Sequence, residues 1–184
     1  MGEVPYVEDQ SVLSRILPRF SRNPLVESIR MVIANLNFVL FDNDSRNNLI
    51  LVTSSVKGEG KTIVSVNTAS VLSSKYDKIL LIGADLRNPQ IHKFLGINKD
   101  KKGLSDYIYL NDVSWKDFII KNEKLDILLS GTIPPNPTEL LSSKKFESLL
   151  NELSKIYDYI IIDSAPCLLV SDTFEISKHV NTTL

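Results

Sequence analysis

The sequence predicts a doubly wound α/β domain, a mostly parallel sheet flanked by helices, and three observations predict it. Four short runs, Leu49-Ile50-Leu51-Val52, Lys78-Ile79-Leu80-Leu81-Ile82, Leu125-Asp126-Ile127-Leu128-Leu129 and Tyr159-Ile160-Ile161-Ile162, are apolar almost throughout instead of alternating. That is the pattern of parallel strands covered on both faces. Segments of helical spacing lie between them, and strands that alternate with helices build a sheet with helices on either side. At 184 residues, the chain suffices for one domain with a well-buried sheet and is short for two.

Residues 1–23 mix charge with Pro5 and Pro18 and hold no sustained period, so they are expected as an arm or linker ahead of a domain over 24–184. Asn23-Pro24 punctuates the entry to a helix. From Val26 to about Phe41, Ile29, Ile33, Leu36 and Leu40 recur at helical spacing and form one apolar stripe, with Glu27, Arg30 and Asn37 on another face. That polar face is either solvated surface or a contact for another subunit. A helix is expected from Ile63 to Leu72, and helix-compatible patterns cover Ser105 to Leu110, Trp115 to Ile120 and Lys144 to Tyr157. Gly131 to Thr138, with Pro134, Pro135 and Pro137, reads as a stiff connection into a short helix at Glu139-Leu140-Leu141. The chain shows no internal repeat and no low-complexity tract.

A hydrophobic content of 43%, a charged content of 23% and a net charge of -1 describe a soluble globular protein. Nucleic acid is not expected as a partner, because binding a phosphate backbone needs a basic excess or stripe. Lys101-Lys102, the densest basic spot outside the glycine-rich turn, reads as solvated surface. A single cysteine, Cys167, excludes an intrachain disulfide; in the run Cys167-Leu168-Leu169-Val170 it is expected as a buried, inert thiol. His92 and His179 belong to no metal or triad spacing. No apolar stretch reaches the roughly 18 to 20 residues that span a bilayer, and no signal peptide opens the chain.

Function enters through Ser55-Val56-Lys57-Gly58-Glu59-Gly60-Lys61-Thr62, set between the first strand and the helix that follows. Backbone N–H groups can curl around phosphate oxygens only where Cβ atoms are out of the way, which Gly58 and Gly60 permit. The following helix adds unpaired donors and a positive dipole end. Lys61 can reach β- and γ-phosphates and the Thr62 hydroxyl can hold Mg2+. A plain glycine-rich turn does not account for Lys and Thr in this order. The candidate nucleotide-binding set for ATP or ADP is Ser55, Lys57, Gly58, Glu59, Gly60, Lys61, Thr62 and Ile63. Two further strand ends are acidic, Ala84-Asp85-Leu86-Arg87 and Ile162-Asp163-Ser164. Asp163 is placed either to bind magnesium, directly or through water, or to cap the turn before Pro166. Asp85 and Arg87 either form a surface ion pair, or serve chemistry: Asp85 as a metal ligand or the group that orients the nucleophile, Arg87 as an answer to phosphate charge or to a neighbouring subunit.

In this order, Thr53-Ser54-Ser55, Gly58-Glu59-Gly60-Lys61-Thr62, Ala84 to Pro89, Ser130-Gly131 with Pro134-Pro135-Asn136-Pro137, and Ile160 to Pro166 resemble the bacterial tyrosine kinases of capsule and exopolysaccharide export, a branch of the MinD/ParA-like P-loop proteins. The resemblance runs from about Pro24 to the C-terminus. It implies ATP- and Mg2+-dependent phosphorylation of tyrosines with Lys61, Asp85 and Asp163 as the catalytic set, and Thr62, Asp85 and Asp163 around the metal. It further implies a homo-oligomeric ring through Glu27 and Arg30, a membrane co-polymerase segment in cis or in trans, a tyrosine phosphatase as partner, and a place at the cytoplasmic face of the bacterial inner membrane. Gly2-Glu3-Val4-Pro5-Tyr6 looks like the segment after a membrane span, and Thr182-Thr183-Leu184 like the start of a strand ahead of a tyrosine-rich tail. The chain departs from the family at Gly83, where an aspartate is usual, and at Ile33, where the helix motif usually has a second arginine. Two alternatives stay open: a nucleotide-binding regulatory module without catalysis, and a ParA-like ATPase, whose usual loop lysine falls at Val56.

Overall fold

The computed structural model describes residues 24–40 and 48–184, with the side chains of 37–40 and 48 left aside. The arm expected over 1–23 and the end of the first helix at Phe41 lie outside the described residues. Helix α1 (Pro24–Leu40) is followed by β1 (Asn48–Val52), α2 (Lys61–Leu72), β2 (Ile79–Gly83), α3 (Ile91–Leu95) and α4 (Leu104–Tyr109). After a 3-10 turn (Trp115–Phe118) come β3 (Ile119–Ile120), β4 (Leu125–Leu128), α5 (Pro137–Leu141), α6 (Lys144–Leu153), β5 (Tyr159–Asp163), α7 (Asp172–Ser177) and β6 (Thr182–Thr183).

The sheet runs β3-β4-β2-β5-β1-β6. All pairings are parallel except β3 with β4. The apolar strand runs are explained by what covers each face. Leu49, Leu51, Leu80, Ile82, Ile160 and Ile162 join Phe146, Leu149, Leu150 and Leu153 of α6 in one core. Their strand neighbours Ile50, Val52, Ile79, Leu81 and Ile161 join Leu25, Val26 and Ile29 of α1 and Ile63, Val66 and Ala69 of α2 in the other. Alternate side chains therefore point to opposite cores, and neither face needs polar residues. The stripe expected on α1 is buried as far as it is described, and Ile33 is only 8% exposed, packed in the core.

Two expectations need correction. Trp115 to Ile120 is not a helix: the Ser114 hydroxyl accepts the Lys116 N–H and caps a 3-10 turn. Trp115 and Phe118, three residues apart, both reach the core, and a 3-10 turn sets i and i+3 on one face. Ile119 and Ile120 then pair with Leu128 and Ile127 of β4. The segment around Cys167 is also not buried as a run. It forms a turn in which Leu168 is 72% and Leu169 61% exposed, and Cys167 is half-buried.

The connection from Gly131 to α5 is fixed by one carboxylate. Asp106 Oδ2 accepts the N–H groups of Gly103 (2.8 Å) and Thr132 (3.1 Å), and Oδ1 accepts the Thr132 hydroxyl at 2.7 Å. Gly131, at φ +81, leaves no space for a Cβ, which would stand 2.2 Å from Asp106 Oδ2.

Candidate functional site

β1, β2 and β5 deliver their C-terminal ends to one edge of the sheet, the edge where ligands sit in open α/β folds. The loop from β1 to α2 turns through Gly58 and Gly60, at φ +95 and +93, a region that side chains rarely adopt. Glu59 Oε2 accepts the Val56 N–H at 3.0 Å and closes the loop on itself. Gly60 caps α2 without a side-chain bond, so the first-turn amides are left for a ligand. The loop is strapped from behind: the Cys167 N–H donates to Ser54 O (2.8 Å), the Leu168 N–H to Ser55 O (3.3 Å) and the Thr53 hydroxyl to Ala165 O (3.0 Å).

Lys61 opens α2 and its Nζ lies 3.1 Å from Asp85 Oδ2, with the side chains only 10% and 4% exposed. The second Asp85 oxygen accepts the Asn88 N–H at 2.9 Å. Asp163, 1% exposed at the end of β5, accepts the Thr62 hydroxyl at 2.9 Å and the Ser65 hydroxyl at 3.0 Å. Burial raises its pKa to about 6, against the pull of Lys61 and the two hydroxyls, and the charge of Asp85 adds to the rise. Lys61, Thr62, Asp85 and Asp163 thus meet at the base of the loop.

A cavity of about 290 Å³ opens over them, lined by Lys57, Gly58, Gly60, Lys61, Thr62 and Ile63 and, across from these, by Asn88, Gln90 and Phe94. Ser55 is exposed beside the loop, and the Glu59 carboxylate is turned back to Val56. The Thr62 hydroxyl and the Asp163 carboxylate are hard oxygen donors at a phosphate loop, a set that suits Mg2+, which completes its shell with phosphate oxygens and water.

Arg87 and Asp85 do not pair with each other. Arg87 forms a two-pronged bond with Asp172, Nε to Oδ2 at 2.7 Å and a terminal nitrogen to Oδ1 at 3.0 Å, and reaches the Thr138 hydroxyl at 3.2 Å. Thr138 donates in turn to Asp172 at 2.6 Å. Burial works to raise the Asp172 pKa, but these donors outweigh it and hold the carboxyl below its usual range. The triad ties the loop after β2 to α5 and α7. Asp172→Ala is expected to lower stability by about 2 kcal/mol, less than for a fully buried pair because Arg87 keeps contact with water. The urea midpoint should fall at unchanged slope.

Gly83, the last residue of β2, pairs in register with Asp163. A Cβ there would stand 2.6 Å from Ser130 Oγ and 3.0 Å from Ser130 N, so the position is closed by the segment that follows β4.

The residues missed by the sequence reading are Ser65, Asn88, Gln90, Phe94, Thr138 and Asp172. Ser65 had a signal, since it follows Thr62 by three residues on one helix and so shares its face. The partner of Arg87 had none, because Asp172 lies 85 residues away.

The family described as an AAA domain matches residues 47–177. A putative tyrosine-protein kinase in the cps region of Klebsiella pneumoniae is 40% identical over 162 residues, 86% of this chain and 22% of that protein. The BceF tyrosine kinase domain superposes with a TM-score of 0.84 at 30% identity, over 98% of this chain and 77% of that one. The VpsO kinase domain does so with 0.75 at 34% identity, over 86% and 78%. The chain spans about a fifth of the length of the first curated relatives it matches.

Proposed function

Because the chain belongs to the bacterial tyrosine-kinase family within the P-loop proteins, the family of capsule and exopolysaccharide systems, we propose that it transfers the γ-phosphoryl group of ATP to tyrosine hydroxyls. The observation that carries this is the meeting of Lys61, Asp85 and Asp163 beneath a loop that turns through Gly58 and Gly60 at positive φ. The loop amides and Lys61 hold the phosphates and answer the charge that develops on transfer, so that catalysis is positioning and electrostatics. Thr62 and Asp163 would hold Mg2+, which when bound neutralises phosphate oxygens. Asp85, once Lys61 turns to phosphate, is the carboxylate nearest to accept a tyrosine proton. Ser65 keeps Asp163 aimed at Thr62.

The test is phosphotyrosine formation from γ-labelled ATP with magnesium. Nucleotide binding without any transfer would leave the regulatory-module reading, which the packed Gly83 favours. No nucleotide binding would end both.

The pH dependence is specific. The folded protein holds the Asp163 proton more tightly than an unfolded chain, whose aspartates titrate near 3.8, up to about 6. The stability contribution of this group is therefore full below 3.8 and is lost as pH rises through about 6. Magnesium-nucleotide binding has the opposite slope, since it needs the ionised carboxylate. Thermal shifts with Mg-ADP should shrink as pH falls below about 6, and Asp163→Asn should remove that dependence.

The ring, the co-polymerase segment and the phosphatase also belong to this proposal. Glu27 and Arg30 form an ion pair on the outer face of α1 at 2.5 Å, both partly exposed, and so present charge to a neighbour. No described helix is long and apolar enough to cross a membrane. A membrane-bound export complex would place the domain against the cytoplasmic face.

A further inference from the structure

We propose that Tyr109 is a phosphate acceptor of this chain, modified by a second copy. The inference rests on the tyrosine-kinase reading and names the substrate within it. Among the described tyrosines, Tyr109 stands apart in accessibility. Its side chain is 78% exposed at the last position of α4. Tyr107, Tyr157 and Tyr159 are buried. The Tyr157 hydroxyl donates to Asp126 at 2.6 Å and the Tyr159 hydroxyl to Tyr76 at 3.4 Å. A buried phenol cannot enter a kinase cleft without local unfolding, whereas Tyr109 presents its hydroxyl to solvent at no such cost.

The surroundings also decide what the modification does to the fold. Leu110, directly after Tyr109, is extended at φ -79 and ψ 142 and closes the helix, its N–H donating to Asp106 O and its carbonyl accepting from Lys145, so the acceptor stands at a fixed helix end. Tyr109 and Lys102 line one cavity of about 260 Å³, whose floor includes Ile133, Pro134 and Pro135. Lys102 lines that cavity, but so does Asp106, three residues before Tyr109, and the carbonyl end of α4 also opposes added negative charge, so a phosphate on Tyr109 is expected to loosen the end of α4.

Transfer between chains suits the way α4 is held. α4 is pinned to its own core by Leu104, Tyr107 and Ile108. Its start is tied to the segment after β4 by the Leu104 and Ser105 N–H groups, which donate to Leu129 O and Ser130 O. Tyr109 is therefore held in place on its own chain, and the loop of a second copy can be brought to it. In the step, the bond between the γ-phosphorus and the bridging oxygen of ATP breaks and ADP leaves with that oxygen. The Tyr109 oxygen bonds to phosphorus, and its proton passes to Asp85 of the donating chain.

The experiment mixes the full chain carrying Lys61→Ala, which keeps Tyr109 but cannot donate, with Tyr109→Phe, which can donate but lacks the acceptor. Labelled ATP and magnesium are added, and phosphopeptides are mapped. A synthetic tyrosine peptide reports turnover in parallel. The expected result is label on Tyr109 of the Lys61→Ala chain, at a rate that rises with the concentration of its partner. Loss of most phosphotyrosine is expected in Tyr109→Phe alone, with peptide turnover unchanged. Label confined to Tyr6, Tyr76 or the peptide overturns this inference and leaves the kinase reading intact. No phosphotyrosine on chain or peptide with the unsubstituted protein overturns the kinase reading, and this inference with it.

Discussion

Lys61→Met is expected to lower phosphoryl transfer by about 10²- to 10³-fold, the loss typical of removing one preorganised donor from a developing negative charge. Methionine keeps the length and apolar stem of lysine, so the rate effect reports charge and not packing. The same substitution should also be felt in the protein without nucleotide. Asp85 has its two oxygens on Lys61 and on the Asn88 N–H and is 4% exposed. Without Lys61 it is a buried carboxylate short of its counter-ion, at a cost of about 3 kcal/mol, the low end for a broken buried pair because the cavity above admits water. Urea unfolding measures the second effect and single-turnover kinetics the first. A double substitution, Lys61→Met with Asp85→Asn, should recover most of the stability and none of the rate. Unchanged transfer in Lys61→Met would remove the loop from the chemistry.

Gly83→Asp should not raise activity by itself, although it supplies the carboxylate that the resemblance leads one to expect there. The new Cβ meets Ser130 Oγ at 2.6 Å and Ser130 N at 3.0 Å, and forcing atoms into a packed site costs about 1–3 kcal/mol. The carboxylate would also lie directly across from Asp163 in the β2–β5 register, and like charges opposite one another repel. A total loss of about 2–4 kcal/mol is expected, read as a lowered urea midpoint. Adding Ser130→Gly removes the hydroxyl and should return the larger part of the packing cost. An active Gly83→Asp chain of parental stability would show that β4 can draw back. The arrangement in hand would then be one of two.

The strands and the loop were legible because their signals are local. An unbroken apolar run says that both faces are covered, and Gly58, Gly60, Lys61 and Thr62 state their task within a few residues. The placement of Asp85 and Asp163 beside the loop was legible because the ends of neighbouring parallel strands share one edge of the sheet. Non-local partnerships were not. Arg87 carries no mark of whether it faces phosphate or Asp172, since that depends on how α7 docks. Trp115 and Phe118 fit an α-helix and a 3-10 turn equally, and the pairing of Ile119 with Leu128 decided between them. The run at Cys167 looked buried because apolar residues are more often inside than out. Leu168 and Leu169 are exposed because the segment is a turn, held to the loop by its backbone and not by its side chains.

Those amides give the protein a built-in reporter. The N–H groups of Cys167 and Leu168 are bonded to the carbonyls of Ser54 and Ser55, so any tightening of the loop around a ligand is registered as slower deuterium uptake at two positions more than a hundred residues downstream. The exposed Leu168 and Leu169 side chains ride on the same turn. Any effect of a contact on these side chains on nucleotide binding is matched, by the same factor, by an effect of nucleotide on that contact.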